Sequence, residues 1–372
     1  MIMESDKGAP IASILGIGTA VPPYRIVQSE VSARLAEALS DYPDSVRWAR
    51  RIFKQCGVET RYTCEPSLVG STAACRYLPS SPLEEVPTTR ERMDVYKRES
   101  MPLGLEAARL ALLDSRADPL DVTHIITVSC TGQYLPGLDA LLVKELQLSP
   151  HVNRIPLQFL GCAAGLKAIC LARQLIAAAP SATILIVCVE LCTLHIQPSG
   201  KREALFGASF FGDGASACIV GCAGDEHQGY LQLGEDMSVL LPDSSEEMVW
   251  EVGNRGFDLY LSPNIPRILG QYLPAELDRF LRVEDKPELW AIHPGGRGIV
   301  DTLQDLCALT DEQTSYSRRI LRDYGNLSSA TILFVLQEMR DDLRRRKSGR
   351  AAGLALAFGP GVTAEIIRIA YV

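Results

Sequence analysis

The feature of this 372-residue sequence that most constrains its fold is a regular alternation of short β-branched runs with longer segments of helical periodicity. The runs that predict strands are residues 11–18, 124–130, 184–190, 215–221, 289–293 and 352–358. The segments that predict helices are residues 29–39, 101–113, 138–147, 163–178, 263–281, 299–308, 316–323 and 329–346. Such alternation indicates an α/β architecture with largely buried sheets. The more polar segment 60–98 has no sustained period and is expected to cross the surface.

The order of these elements repeats weakly along the chain. The strands that end at Cys130 and His293 lie 163 residues apart, and the Gly161-Cys162 turn precedes the Gly325-Asn326 turn by 164 residues. A further strand follows each turn at a similar offset. We therefore expect two halves, residues 1–222 and 223–372, whose junction brings together Cys162, His293 and Asn326.

Charge and hydropathy exclude several kinds of partner. The formal net charge of −8 provides no basic field for nucleic acid or for an anionic membrane surface. No apolar run reaches the roughly 20 residues of a membrane span, since Lys167 and Arg173 interrupt the longest candidate. The N-terminus does not show the pattern of an export signal, so a cytoplasmic location is expected.

The eleven cysteines fit a reducing compartment better than a disulfide framework, because their number is odd. Two CxxxC pairs, Cys188 with Cys192 and Cys218 with Cys222, raise the question of zinc. Cys188 and Cys218 lie inside apolar runs that predict buried strands, where free cysteine behaves as a small hydrophobic residue. No metal site is therefore expected.

One cysteine has the surroundings of a nucleophile. Cys162 lies on a glycine-flanked turn, Gly161-Cys162-Ala163-Ala164-Gly165, at the start of a predicted helix. Small neighbours leave its sulfur accessible, and the N-terminus of a helix favours the thiolate form. Taken alone, it could equally be another buried cysteine.

Two polar residues elsewhere in the chain could complete a catalytic set. His293 ends a buried strand and precedes Pro294-Gly295-Gly296, a turn that allows close backbone approach to a ligand. Asn326 precedes a predicted helix, which also fits a simple helix cap. Among the other histidines, His195 follows a strand and stays open as an alternative base.

A Cys-His-Asn set fits two enzyme classes. In papain-like hydrolases the His follows the Cys by roughly 130–150 residues, and here the gap is 131, but the segment around Cys162 does not match theirs. In thioester condensing enzymes the Cys carries an acyl group, while His and Asn stabilise the enolate formed from malonyl-CoA. Asn suits this role, because a carboxylate would repel the developing oxyanion.

Five motifs together resemble the chalcone synthase-like, type III polyketide synthases. They are Gly161-Cys162-Ala163-Ala164-Gly165, Phe206-Gly207 through Phe211-Gly212-Asp213-Gly214-Ala215, Ile292-His293-Pro294-Gly295-Gly296, Gly325-Asn326-Leu327-Ser328-Ser329-Ala330 and Phe358-Gly359-Pro360-Gly361. The resemblance implies an α/β, thiolase-like αβαβα layered fold and a homodimer. It also implies iterative condensation of malonyl-CoA onto an acyl-CoA starter, without carrier protein, metal or other cofactor.

The resemblance also implies roles for individual residues. Cys162 would hold the starter and the growing chain, while His293 and Asn326 would bind the malonyl carbonyl and assist decarboxylation. The other implied residues contact substrate, CoA or the second subunit. Phe211 and Phe257 would lie at the junction of the CoA tunnel and the cavity, and Ser328 would also contact substrate. Leu135 would enter the cavity of the partner subunit. The residues implied for CoA binding are Arg51, Lys54, Gly295 and Gly296.

The cavity positions depart from the plant pattern. They read Cys130, Thr131, Cys192, Leu194 and His195, and the segment 189–195 is similar to bacterial alkylpyrone and alkylresorcinol synthases. Those enzymes accept medium or long fatty acyl-CoA starters, whereas Cys130 also occurs in members that make tetrahydroxynaphthalene. A single-condensation β-ketoacyl synthase III, a Cys-His-Asn hydrolase and a non-catalytic acyl-binding protein are the alternatives.

Overall fold

The fold is built around one nine-stranded mixed sheet, seen in a computed structural model that describes residues 11–70, 75–78, 80, 85–224, 229–282 and 286–372. Its strand order is β11-β12-β13-β8-β1-β7-β6-β4-β5. These strands are β1 (Ala12–Ala20), β4 (His124–Ser129), β5 (Asn153–Gln158), β6 (Ile184–Leu191), β7 (Asp213–Cys222), β8 (Leu231–Leu240), β11 (Leu289–Ile292), β12 (Ala351–Gly359) and β13 (Thr363–Tyr371). Four other strands form two small antiparallel sheets, β2 (Tyr24–Val27) with β3 (Thr60–Thr63), and β9 (Met248–Gly253) with β10 (Gly256–Leu261).

Ten α-helices are described. Some lie between the two halves of the sheet, and others pack on the outer face of each half. They are α1 (Gln28–Ala38), α2 (Pro43–Gln55), α3 (Thr89–Ser115), α4 (Leu138–Glu145), α5 (Ala164–Ala178), α6 (Arg202–Phe210), α7 (Ile265–Phe280), α8 (Arg297–Leu306), α9 (Asp311–Tyr324) and α10 (Thr331–Arg346). α5 and α10 share one apolar core with strands of both ends of the sheet. α3 and α4 pack on one outer face, and α7 and α8 pack on the other. The layers therefore follow the expected αβαβα order.

The two halves repeat the same pairing pattern. β4 pairs parallel with β6, which pairs antiparallel with β7. In the second half β11 pairs parallel with β12, which pairs antiparallel with β13. The halves join where β1 pairs with β8 over only two residue pairs. The predicted internal repeat is thus confirmed in the sheet, while the division at residues 222 and 223 stays a prediction.

The predicted strands and helices are all present, but the last part of the segment 60–98 differs from its prediction. The helix predicted from residue 101 begins at Thr89, where Thr88 and Glu91 form a capping box. Arg92 and Tyr96 in its first turns are buried. The surface crossing predicted for residues 89–98 is therefore wrong, because charged residues hid a helix whose inner face is covered.

Candidate active site

Cys162 lies on a single 3₁₀ turn, Gly161–Ala163, between β5 and α5. Gly161 adopts a φ of 63°, and a Cβ there would meet Pro360 Cδ at 2.2 Å. Pro360 belongs to the Gly-Pro-Gly turn that joins β12 to β13. Glycine is therefore required at 161 both by its backbone conformation and by this close approach. The contact fixes the nucleophile turn of one half against a turn of the other half.

Replacement of Gly161 by Ala should lower both stability and activity. Left-handed strain and overpacking against Pro360 together cost about 2 kcal/mol or more. A shift of Cys162 by about 1 Å would lower kcat/KM by about a hundredfold. Thermal unfolding and steady-state kinetics measure the two effects. Gly270→Ala is the matched control, because no atom lies within 4 Å of a Cβ built there in α7; equal behaviour of the two variants would contradict this role of Gly161.

Asn326 faces the sulfur of Cys162. Its backbone forms a bridge with Phe211, and its N–H donates to Phe210 O at 2.8 Å. Its side-chain Nδ2 donates to Gly295 O at 3.1 Å and lies 3.8 Å from Cys162 Sγ. Oδ1 accepts from the Ser328 N–H at 2.8 Å, which fixes the orientation of the amide. One Nδ2 hydrogen is thus left to point toward the sulfur.

His293 follows the end of β11 and is fully buried. Its backbone N–H donates to Leu356 O at 2.8 Å. Neither ring nitrogen has a hydrogen-bond partner among the described residues. The ring lines the same cavity as Cys162 and Asn326. A buried ring with both nitrogens free is unusual, and it leaves both positions available to a substrate.

The surroundings of the cysteine and of the histidine disfavour the charged form of each side chain. Burial raises the pKa of the Cys162 thiol to about 11, although hydrogen bonds with Ser328 and Asn326 favour the thiolate. Burial lowers the pKa of His293 to about 3. Desolvation therefore opposes the thiolate form that the helix N-terminus is expected to favour. Attack by the sulfur requires its proton to move to a base.

A second thiol is connected to Cys162 through Ser328. Ser328 Oγ lies 3.6 Å from Cys162 Sγ and 3.2 Å from Cys130 Sγ. The Cys130 thiol also donates to Glu190 Oε1 at 3.1 Å. Burial raises the pKa of Cys130 well above its usual value. Cys130 is therefore a neutral donor rather than a second thiolate.

Glu190 is a buried carboxyl group that the sequence interpretation missed. It accepts hydrogen bonds from Thr131 Oγ1 at 2.7 Å, from the Cys130 N–H at 3.1 Å and from Ser329 Oγ. Burial raises its pKa, against the effect of these hydrogen bonds. The signal for Glu190 was present, since it is the one charged residue in the apolar run of β6.

A cavity of about 340 Å³ opens beside the three candidate catalytic residues. Its wall is mostly apolar and is drawn from both halves of the chain. Seven predicted binding residues are among those that line it, namely Cys130, Thr131, Cys192, Phe211, Gly295, Gly296 and Ser328. Residues that sequence reasoning did not select also contribute, among them Gln55, Phe206, Trp250 and Arg297. An apolar cavity with few convergent polar groups is typical of a small-molecule site.

Three predicted substrate residues are buried behind this wall or point away from it. Leu194 is fully buried in the core under α3 and does not line the cavity, so the cavity position predicted for it is wrong. Cys192 and Leu194 share one 3₁₀ turn, whose residues point in different directions. Phe257 is buried and stacks on His195, with ring centroids 4.2 Å apart. Neither Phe257 nor His195 belongs to the lining of the main cavity.

His195 cannot act as a base in this structure, because both ring nitrogens are occupied. Nε2 lies 2.6 Å from Thr131 O, and Nδ1 accepts from the Phe257 N–H at 3.0 Å. This pattern fixes the neutral tautomer with hydrogen on Nε2. Burial lowers the pKa of His195 to about 3. Its role is to hold the β9–β10 hairpin against the segment that carries Cys130.

Three other predicted residues lie on the surface. Arg51 and Lys54 are exposed on α2, whose Ile52 and Gln55 line the cavity. Leu135 is 91% exposed. An apolar side chain with this exposure is open for contact with another molecule.

The described residues contain no cluster of three or more potential metal-binding side chains. The four CxxxC cysteines are free thiols in β6, in the turn that follows β6 and in β7. One segment, Gly161–Ala178, is long and apolar enough to cross a membrane by composition. Half of it is buried inside the protein, since α5 forms part of the central layer.

Two family models match almost the whole chain. The model for the N-terminal domain of chalcone and stilbene synthases matches residues 3–224, and the model for their C-terminal domain matches residues 232–372.

Relatives and solved structures agree with these matches. The chain is 32% identical to type III polyketide synthase 21 of Oryza sativa, over 95% of this chain and 92% of that protein. It is 30% identical to an alpha-pyrone synthesis polyketide synthase-like protein of Mycobacterium tuberculosis, over 95% of this chain and 90% of that protein. Among solved structures, PKS-I of the brown alga Ectocarpus siliculosus superposes with a TM-score of 0.89 at 25% identity, covering 99% of this chain and all of that one.

Proposed function

Because this chain belongs to the chalcone and stilbene synthase family of type III polyketide synthases, which are acyltransferases, we propose that it extends a medium- or long-chain fatty acyl-CoA with malonyl-CoA. The product is an α-pyrone or a resorcinol-type polyketide. One observation carries the proposal: Cys162, His293 and Asn326 meet at a mostly apolar cavity built by both halves. The alternatives are a single condensation, as in β-ketoacyl synthase III, and hydrolysis of a thioester or peptide.

The first step is transfer of the starter to Cys162. The sulfur attacks the thioester carbonyl carbon of the acyl-CoA, and the neutral ring of His293 accepts the thiol proton. Collapse of the tetrahedral intermediate breaks the bond to the CoA sulfur, which leaves with that proton as CoA-SH. A free ring nitrogen in the cavity is what this proton transfer needs.

The second step is decarboxylation of malonyl-CoA. The free hydrogen of Asn326 Nδ2 and the N–H of neutral His293 donate to the thioester carbonyl oxygen of malonyl-CoA. Loss of carbon dioxide places negative charge on that oxygen, where preorganised donors are most effective. The orientation of Asn326 is set before substrate arrives, because Gly295 O and the Ser328 N–H hold its amide.

The third step forms the carbon–carbon bond. The enolate carbon attacks the acyl carbonyl on Cys162, and the bond between that carbonyl and Sγ breaks. The extended chain is then a CoA thioester, and the released thiolate of Cys162 can accept it again for another round. No metal or organic cofactor takes part in these steps, in which CoA thioesters are the substrates.

The cavity wall supports a fatty starter. Many of the side chains in this wall are aliphatic or aromatic, including Ile265, Met248 and Phe358. Burial of each methylene in such a wall contributes about 0.8 kcal/mol. The name of the mycobacterial relative, which describes alpha-pyrone synthesis, agrees with a pyrone product.

The CoA moiety is proposed to leave the cavity between α2 and α8. Gln55 of α2 and Arg297 of α8 both line the cavity, and the Arg297 side chain is largely exposed. Arg51 and Lys54 lie on the same helix as Gln55 and can approach the phosphates. Leu135 is proposed to contact a second subunit in a homodimer. A cytoplasmic location stays a prediction from the N-terminal sequence.

A product assay tests the proposed function. The protein is incubated with acyl-CoA starters of increasing chain length and with radiolabelled malonyl-CoA, and products are identified by mass spectrometry. Labelled pyrones or resorcinols are expected, with no loss when a chelator is added. Free fatty acid without label would indicate a hydrolase, and one extension without cyclisation would indicate the single-condensation alternative. Absence of any turnover would indicate acyl binding only.

Replacement of Cys192 by Phe should shorten the accepted starter. Cys192 is buried and lines the cavity, so an added ring occupies space that a long acyl chain needs. We expect kcat/KM for the longest accepted starter to fall at least about tenfold relative to the shortest. Cys222→Phe is the control, because Cys222 lies at the end of β7 away from the cavity. An unchanged profile for Cys192→Phe would show that the acyl chain lies elsewhere.

A further inference from the structure

Trp250 of β9 separates two neighbouring cavities. It lines the main cavity and also a smaller one of about 40 Å³. Residues that line both form the partition between them, and they are Cys192, Phe211, Trp250 and Leu259. Trp250 has the largest side chain of the four. The partition therefore depends mainly on the indole.

The indole is held rigidly in this position. Its Nε1 donates at 2.7 Å to the carbonyl oxygen of Cys130, the residue whose thiol contacts Ser328 in the active site. Its ring packs edge-on against His195 and Phe257, with centroids 5.6 Å and 5.9 Å away. His195 in turn connects Thr131 O with the Phe257 N–H. A side chain fixed by packing and by a hydrogen bond forms a definite wall rather than a movable one.

The smaller cavity lies on the other side of the partition from the main cavity. Its far side is formed by small residues of α6, including Ala204, Gly207 and Ala208. A Cβ added at Gly207 would meet no atom closer than 3.7 Å. Gln197 and the exposed Glu203 also line it, so it reaches the protein surface. An acyl chain that passed the partition would find both room and an exit.

We propose that Trp250 is a specificity-determining residue, whose indole sets the maximum length of the acyl chain in the cavity. This inference rests on the proposed function, since it concerns the chain carried by Cys162. In the native protein, an acyl chain that reaches the indole has to fold back within the main cavity, or part of it has to stay outside that cavity. Removal of the indole joins the two cavities and gives longer chains an apolar path beside α6.

The test compares Trp250→Ala with the native protein over a series of saturated acyl-CoA starters, with kcat/KM and product mass as readouts. We expect the preferred length to increase, with a gain of about fourfold per additional methylene that enters the joined cavity. Val252→Ala is the matched control, because Val252 is on the same strand and 63% exposed. An active Trp250→Ala protein with the native length profile would overturn the inference.

Further variants distinguish the effect of the size of the Trp250 side chain from the effect of its hydrogen bond. They also provide a test if Trp250→Ala does not fold. Trp250→Phe removes the hydrogen bond to Cys130 O but keeps most of the bulk, so we expect nearly the native profile; a shift as large as that of Trp250→Ala would overturn the partition. If Trp250→Ala does not fold, Leu259→Ala tests the same wall and should also favour longer chains. Ala204→Leu, added to Trp250→Ala, should restore the shorter limit. Failure of the native protein to form any labelled product would instead contradict the proposed function.

Discussion

Cys162→Ala should form no covalent acyl-enzyme and no polyketide. The sulfur is the atom that carries the chain through every round, and the described residues that line the cavity with it offer no charged nucleophile. The thiol of Cys130, which also contacts Ser328, has a pKa raised well above its usual value by burial and donates to Glu190. Loss of a catalytic nucleophile costs on the order of 10⁶-fold in kcat in a well-studied hydrolase. We expect turnover below detection, a loss of at least about 10⁴-fold on this scale.

Intact-protein mass spectrometry after incubation with an acyl-CoA measures the adduct directly. Cys170→Ala is the control, because Cys170 is a buried cysteine of α5 that is absent from the cavity lining. It should load normally if it folds. An acyl adduct on Cys162→Ala would transfer the nucleophilic role to another residue, and peptide mapping would identify it.

Replacement of Asn326 or His293 by Ala should slow decarboxylation of malonyl-CoA about a hundredfold or more. Removal of one oxyanion donor costs about 10²–10³ in kcat in comparable sites. Both residues are buried at the cavity, and the donors of Asn326 are already oriented. The two variants should differ in loading, because only His293 is proposed to accept the thiol proton. Loading should be slower in His293→Ala and little changed in Asn326→Ala.

Release of labelled carbon dioxide from malonyl-CoA, without any starter, isolates this step. Asn326→Asp is an informative companion variant, because it keeps the shape but replaces a donor by a carboxylate that repels the developing charge. It should be as slow as Asn326→Ala. Native decarboxylation in both alanine variants would remove the proposed oxyanion role.

Secondary structure was predicted most accurately from the sequence for strands that are buried on both faces of the sheet. All eight residues of β6 are buried, and this strand was predicted almost to the residue. The missed helix α2 buries only Ala49 and Phe53, so its pattern is dominated by solvent-exposed residues. The β9–β10 hairpin was missed for a similar reason, since its alternating pattern is short and mixed. Local periodicity gives little signal for elements that are held by contacts with distant parts of the chain.

In the candidate site, too, the sequence predicted some positions correctly and missed those that depend on contacts with distant residues. The repeat offsets predicted that Cys162 and Asn326 meet, and their side chains lie within 4 Å of each other. Leu194 was predicted to line the cavity because it occupies a cavity position of the family it resembles, but its side chain enters the core. The roles of Glu190, His195 and Trp250 depend on hydrogen bonds across 59 to 120 residues of sequence, and nothing in the local sequence reports such partners.

The central helical layer has a consequence for synthesis of the protein on the ribosome. α5 packs in a core shared with α10, which begins about 150 residues later in the chain. At the usual rate of 5–20 residues per second, α10 emerges roughly 8–30 s after α5. During this interval one apolar face of the nascent first half has no cover. Co-translational chaperones are therefore expected to bind the growing chain at this stage, before its second half can enclose that face.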